Sequence, residues 1–295
     1  MKFVVSNRFI IRTGCTALAV TGAGLAARAD PLPVIAIHRE VGLAAEGQFT
    51  NYKENFSVET AKGLHDRETG GTPGFEFKAE DMLDIGPIRH VYASVEFRYN
   101  NGTTRYNGAY QRSHDPLIAT DGLETKDVRA ELGKGFLIGD RLLITPVVQF
   151  AYHDWNRTLS DYSEDYRQLA VGAAVHGDFA LTRRLVLSAR LGWAETLDPK
   201  MTATGQSVTI DRHSYTLDPL HFPLGDRPVW QAGSSLDYRM TRHVHLYGGV
   251  DFQRFGYAQG KTRATIHGRS VHSTYTEPDS WTQTIVLTTG LAWSF

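Results

Sequence analysis

The sequence has 295 residues, of which 41% are hydrophobic and 21% are charged, and its formal net charge is −1. This composition excludes a wholly disordered chain, and the near-neutral charge excludes the basic footprint of a nucleic-acid-binding protein. The length suits either two small globular domains or one large all-β domain.

The first segment has the residue order of a secretory signal peptide. Three basic residues within the first twelve precede an uncharged stretch, and Ala27-Arg28-Ala29 forms a small-x-small cleavage site before Asp30. We therefore predict a cleaved signal peptide over residues 1–29 and an exported mature domain over residues 30–295.

The residue types needed for cofactor chemistry are sparse or scattered. The single cysteine, Cys15, lies within the predicted signal peptide, so the mature chain is expected to contain no disulfide and no thiolate metal site. The 12 histidines form no His-Glu-x-x-His motif, and the glycines form no nucleotide-binding loop. We therefore predict no metal and no cofactor.

Apolar and polar residues alternate along the mature chain, which predicts β-strands with two different faces. No apolar run reaches the length of about 18 residues that a spanning helix needs. Such alternation fits a soluble sandwich as well as a membrane barrel whose apolar face meets lipid. The alternating segments are 41–49, 91–99, 142–150, 169–175, 185–193, 230–238, 246–252 and 284–295.

The connections between these segments alternate in length, which favours the membrane barrel. Short turns on one side and long loops on the other are typical of outer-membrane barrels. The predicted short turns lie near 84–88, 138–141, 180–184 and 239–243. The predicted long loops lie near 51–74, 101–123, 154–166, 195–228 and 256–281.

Two of the short turns repeat one pattern. Residues 178–187 and 237–246, which lie 59 positions apart (237 − 178), both place an aromatic residue at the strand end and basic residues after the turn. An aromatic ring in this position suits the membrane interface. The repeat has the size of a hairpin and predicts an up-and-down meander.

The chain ends on Leu291-Ala292-Trp293-Ser294-Phe295, an amphipathic strand that closes on an aromatic residue. This ending resembles the targeting signal of bacterial outer-membrane barrels, and the whole pattern resembles the small OmpA-like and opacity-type barrels. The resemblance implies that Trp293 and Phe295 form an assembly signal for the barrel-assembly machinery. We therefore predict an all-β, transmembrane, antiparallel up-and-down barrel of about ten strands in the outer membrane. Both termini should be periplasmic, and outer-membrane lipids and lipopolysaccharide should be partners.

The polar face of the predicted strands carries charges of both signs. A barrel of this size is about filled by its side chains, and charges held away from water need partners. We predict a lumen network that fills the barrel, and therefore a structural or surface-interaction role. A narrow pore for small solutes or ions is the alternative, because acids outnumber bases. The network residues are Glu46, Glu96, Arg98, Asp127, Arg129, Glu131, Arg190, Asp237 and Asp251.

One loop motif suggests chemistry. Asp211-Arg212-His213, in the long loop between the seventh and eighth strands, has the Asp-x-His spacing of the omptins, which are ten-stranded outer-membrane proteases. The resemblance implies that Asp211 orients His213, which would activate water against a peptide bond. The second omptin element, an Asp-x-Asp pair, has no counterpart between Asn101 and Leu123. The sequence thus leaves catalysis undecided and favours its absence, with an omptin-like protease as the third alternative.

The cleavage site gives the first testable prediction. N-terminal sequencing of the protein from outer membranes should begin at Asp30. An Ala29→Leu change should slow processing, because the site accepts small residues, and should leave a heavier precursor on a gel. A purified wild-type protein that begins at Met1 would contradict the prediction.

Overall fold

A computed structural model describes residues 31–55, 66–109, 115–159 and 162–295, so the predicted signal peptide lies outside the described residues. Within these ranges no helix is long and apolar enough to cross a membrane. The elements in these ranges are α1 (Pro33–Ala36), β1 (Glu40–Asn55), β2 (Arg67–Ile85), β3 (Ile88–Ala109), β4 (Pro116–Lys134), β5 (Phe136–Ile138), β6 (Leu142–Leu159), β7 (Tyr162–Ala180), β8 (Leu185–Thr204), β9 (Ser207–Ile210), β10 (His213–Thr216), β11 (Leu220–Pro223), β12 (Pro228–Arg239), β13 (Val244–Tyr257), β14 (Gly260–Ile266), β15 (Arg269–Glu277) and β16 (Asp279–Ser294).

Ten of the described strands close into a barrel. Their order around the wall is β1-β2-β3-β4-β6-β7-β8-β12-β13-β16, and each strand pairs with the strand on either side of it in this order. The seam is an antiparallel ladder between β16 and β1 that runs from Glu40 opposite Ser294 to Asn55 opposite Asp279. The predicted all-β, ten-stranded, up-and-down barrel is therefore confirmed.

The polarity of the two faces of the wall is the reverse of that in a soluble protein. On β1, Leu43 and Phe49 point outward and are 60% and 54% exposed, whereas Glu40 and Glu46 point inward and are buried. The alternation predicted from the sequence is thus apolar outside and polar inside, as a barrel in lipid requires.

The prediction of long loops is largely wrong. β3 runs for 22 residues and β8 for 20, about twice the 9–11 residues that cross the hydrocarbon. Much of 51–74 and 101–123 is therefore barrel wall that continues past the apolar outer surface. The sequence makes this extension hard to recognise because the outward face is mostly polar there, whereas the backbone ladder continues whatever the side chains.

The repeated turn motif is a structural repeat. Thr182 and Thr241, 59 positions apart (241 − 182), each accept hydrogen bonds at Oγ1 from the N–H groups two and three residues ahead. The distances are 3.1 and 3.0 Å around Thr182 and 3.3 and 3.0 Å around Thr241. The hydroxyl thus replaces a backbone acceptor and fixes the tight connection.

Both ends of the described chain lie at one end of the barrel, here called the terminal end. The Phe295 N–H donates to the carbonyl oxygen of Arg39 at 3.2 Å. The opposite end, which carries β9–β11 and the β14–β15 hairpin, is called the loop end. That the terminal end faces the periplasm stays a prediction.

The seam provides a packing test. A Cβ on Gly290 would lie 2.4 Å from the Leu43 carbonyl oxygen, whereas a Cβ on Gly47 would meet nothing within 4 Å. Gly290→Val should therefore lower the free energy of unfolding by about 1–3 kcal/mol through overpacking. Gly47→Val is the matched control and should be close to wild type. Urea unfolding in detergent micelles measures both, and equal stability of the two variants would contradict the seam geometry.

Candidate functional site

The lumen is the candidate functional site. Residues 32–39, here called the plug, fill its terminal end. The residues before β1 turn into the barrel, where Pro33 starts the short helix α1. Val34 and Ile37 are buried and pack among apolar side chains of several wall strands, including Met82, Tyr92 and Leu143. This apolar contact holds the N-terminal segment inside the wall.

His38 fastens the plug to two distant strands. Its Nδ1 lies 2.9 Å from Glu80 Oε2 on β2, and its Nε2 lies 2.9 Å from Asp178 Oδ2 on β7. Burial by itself lowers the pKa of His38, but the charges and hydrogen bonds of Asp178 and Glu80 raise it to about 10. The imidazolium therefore bridges two carboxylates across the barrel at neutral pH.

Arg98 is the centre of the middle layer. Its Nε lies 2.8 Å from Glu96 Oε1 and 3.3 Å from Glu46 Oε1. Its terminal nitrogen lies 2.8 Å from Asp251 Oδ2 and 3.0 Å from Glu76 Oε2. One guanidinium thus faces four carboxylates from four strands.

Arg129 and Arg190 extend this layer. Arg129 donates to Glu96 at 2.6 Å, and Arg190 donates to Glu131 at 2.6 Å. Glu131 is also 2.7 Å from Nε2 of His176. Since Arg129 Nε is 3.9 Å from Glu131 as well, these pairs join those of Arg98 in one connected network.

The predicted lumen residues therefore fall into two groups. The network brings together seven of them, and the other two pair with histidines beside it: Asp127 with His153 at 2.7 Å and Asp237 with His245 at 2.8 Å. The seven are Glu46, Glu96, Arg98, Arg129, Glu131, Arg190 and Asp251.

Glu40, Asp237 and His245 are the described residues whose donor atoms could hold a metal ion. All three are buried, and His245 Nδ1 lies 2.8 Å from Asp237 and 3.3 Å from Glu40. The Lys78 ammonium lies 2.6 Å from the other oxygen of Glu40. The chain's own cation therefore already balances a carboxylate that a metal would need.

Two polar cavities lie in the lumen. One, near the terminal end, is about 160 Å³, and the next is about 50 Å³. A single water molecule needs a cavity of roughly 10–15 Å³, so both cavities are large enough to hold water. Glu96, Arg98 and Arg129 line both cavities and separate them.

A second buried cluster fills the loop end around Arg157. Its guanidinium donates to Glu68 and Glu164 at 2.7 Å each. The same group lies 4.5 Å from the Tyr52 ring centre and 5.4 Å from that of Trp155. Arg157 is thus ion-paired and covered by aromatic rings, and it is 1% exposed.

The β14–β15 hairpin is attached to this cluster. Tyr166, which stacks on Trp155 with ring centres 5.1 Å apart, donates from its hydroxyl to Glu277 of β15 at 2.7 Å. At the hairpin tip, the Thr265 hydroxyl and the Gly268 N–H donate to Asp218 at 2.6 and 2.9 Å. These contacts hold the hairpin and the segment before β11 against the buried aromatic core.

The geometry of Asp211 and His213 does not form the base pair that the omptin resemblance implies. Asp211 and Arg212, with φ of 47° and 65°, make the turn between β9 and β10, and both candidates are exposed. His213 Nδ1 lies 2.9 Å from the backbone carbonyl oxygen of Asp211, so the imidazole donates there and not to the carboxylate. The pair stands on a hairpin tip outside the buried cluster.

Trp293 and Phe295 lie on the outer surface at the terminal end. They are 57% and 58% exposed, and Trp293 stacks on His243 with ring centres 5.4 Å apart. The ring positions suit an interfacial belt. Their role as an assembly signal stays a prediction.

Sequence reasoning missed the plug and the loop-end cluster. No periodic pattern marks residues 32–39, because their burial depends on the wall around them. The loop-end cluster had a signal that was available: Tyr52, Glu68, Arg157 and Tyr166 continue the inward parity of their strands. These four positions lie within the predicted long loops 51–74 and 154–166, where no strand alternation is expected.

Arg98 gives a test of the network. Arg98→Gln removes the cation that faces four carboxylates, and breaking a buried pair costs about 3–5 kcal/mol. Arg167→Gln is the matched control, because Arg167 is an exposed ion-paired arginine whose loss should cost about 0–1 kcal/mol. Urea unfolding in detergent should separate the two variants, and equal stability would show that the Arg98 pairs do not hold the lumen.

No protein-family model and no curated protein match this sequence. Among solved structures, the outer membrane protease OmpT from Escherichia coli is similar at 10% identity and TM-score 0.54, over 87% of this chain and 95% of that chain. The transport unit of the autotransporter AIDA-I from Escherichia coli aligns at 11% identity and TM-score 0.45, over 94% of each chain. The toluene transporter TodX from Pseudomonas putida aligns at 10% identity and TM-score 0.39, over 90% of this chain and 92% of that chain. Identity this low concerns the fold alone: the chain has the fold of an outer-membrane β-barrel.

Proposed function

We propose that this protein is a closed structural barrel of the bacterial outer membrane that displays its loop end for surface interactions. Export through a cleaved signal peptide and assembly through Trp293 and Phe295 are part of the proposal. Outer-membrane lipids, lipopolysaccharide and the barrel-assembly machinery are the proposed partners.

The filled lumen is the observation that carries the structural role. The plug occupies the terminal end, the Arg98 network crosses the middle, and the Arg157 cluster occupies the loop end. A ten-stranded barrel is only slightly wider than the eight-stranded kind, whose interior side chains about fill it. The rigid wall then supports the hairpins at the loop end, where contact with other molecules is possible.

The two cavities favour a narrow pore as the second candidate function. They lie in sequence along the lumen, and Glu96, Arg98 and Arg129 form the wall between them. Movement of these side chains would join the cavities into one polar space. The plug and the Arg157 cluster must also move aside before ions could pass through the lumen.

Single-channel recording distinguishes the two candidates. Refolded wild-type protein in planar bilayers should give no stepwise conductance, because three layers of side chains block the lumen. The same preparation should show heat-dependent migration on gels, so that an absence of conductance is known to come from folded barrels. Arg98→Ala should remain silent, since the plug and the Arg157 cluster stay in place.

Stepwise, cation-preferring conductance in the wild type would overturn the structural role and favour the pore. Lys126→Gln, which changes an exposed outer residue, is the control and should not alter the recording. Recovery of the protein from the soluble fraction without a heat-dependent shift would contradict the membrane location itself.

A further inference from the structure

The outer wall is asymmetric in charge toward the loop end. On five adjacent strands, β13, β16, β1, β2 and β3, the outward positions toward the loop end carry four cations. These four, here called the basic band, are Arg254, Lys53, Arg67 and Arg105.

Strand register places the band in two neighbouring rows. In the first row, Arg254 pairs with Gln283, Gln283 with Asn51, Asn51 with Thr69 and Thr69 with Arg105. In the second row, Trp281 pairs with Lys53, Lys53 with Arg67 and Arg67 with Asn107. The four cations therefore occupy two neighbouring rows of the ladder on one side of the wall.

One end of the band, on β13 and β1, adjoins the lipid-facing surface. The outward row immediately below it contains Phe252 opposite Ile285 and Ile285 opposite Phe49, and Phe49 is 54% exposed. Two residues along a strand span about 6.6–6.8 Å. Arg254 thus follows Phe252 by two residues and Lys53 follows Phe49 by four, whereas Arg67 and Arg105 lie farther from the apolar surface along their strands.

The band lacks carboxylate partners among the described residues. Lys53 and Arg105 form no ion pair there, Arg67 donates to the neutral Asn51 at 2.9 Å, and Arg254 stacks over Trp281 at 5.5 Å. The outward acid Asp279 on β16 is already bonded by Arg227 and Asn55.

Toward the loop end, outward cations on the other half of the described wall are paired. Lys126 contacts Glu124, Lys200 lies 2.6 Å from Asp198, and Arg167 lies 2.5 Å from Asp165. The charge of these three cations is neutralised within the protein. Toward the loop end of the described wall, unpaired outward cations therefore lie on one side of the barrel.

We propose that the basic band binds the phosphate groups of an anionic membrane lipid. This inference rests on the proposed membrane location. The guanidinium fork matches phosphate geometry, and Arg67, Thr69, Arg105 and Asn107 together line a groove in the wall. A lipid is the source that fits, because its acyl chains can lie on Phe49, Ile285 and Phe252 while its phosphate reaches the band.

A titration with fluorescent diphosphoryl lipid A tests the band on the full mature chain, folded in detergent. Arg67→Gln/Arg105→Gln should bind this lipid more weakly, by roughly fivefold for each cation removed. Arg254→Gln, at the other end of the band, should weaken binding by roughly fivefold. The matched control Lys126→Gln/Arg167→Gln should bind like wild type, because those cations are already paired.

The inference is overturned if the double variant binds like wild type, if the control loses as much affinity, or if dephosphorylated lipid binds equally well. Displacement of the lipid by an equal concentration of inorganic phosphate would also overturn it, by assigning the band to free phosphate. A failure of the proposed location is distinguishable: the heat-shifted, folded barrel would then fail to insert into phosphatidylcholine vesicles, which the lipid preference does not affect.

Discussion

The rest of the structure depends on closure of the backbone ladder. In hydrocarbon no water is available to an unpaired N–H or C=O, so a sheet in lipid must have no free edge. The pairing of β16 with β1 supplies that closure. It also fixes the strand number, hence the lumen width, and it forces alternate side chains outward into lipid and inward into a narrow space. Gly290 on β16 allows the two seam strands to approach.

A narrow lumen then determines how its charges are arranged. Carboxylates and guanidinium groups that are largely withdrawn from water require partners, and the wall brings them from distant strands to one level. Arg98 alone gathers acids from β1, β2, β3 and β13. The same rule acts at the loop end, where Arg157 pairs with Glu68 and Glu164. The same side chains thus fill the lumen and pair its charges, and the proposed structural role rests on both.

The outside of the wall obeys a different rule, because its charges face solvent or headgroups. There pairing is optional: toward the loop end, one half of the described wall has paired cations while the other half has the basic band. Such a difference has no evident role in holding the barrel closed. The position of Arg254 and Lys53 beside the lipid-facing surface connects the band with the proposed headgroup binding, which is independent of whether the lumen conducts.

The sequence by itself determined the barrel, its strand number, the lumen face and the paired turns, because these depend on a period of two and on local turn residues such as Thr182 and Thr241. It also identified most of the charged lumen residues, since parity alone places them inside. Tertiary structure decided which charges meet, because Arg98 and Asp251 are 153 positions apart (251 − 98). It decided the burial of His38, the true length of the strands and the exposed hairpin position of Asp211 and His213. These features depend on contacts between distant segments, which no local spacing records.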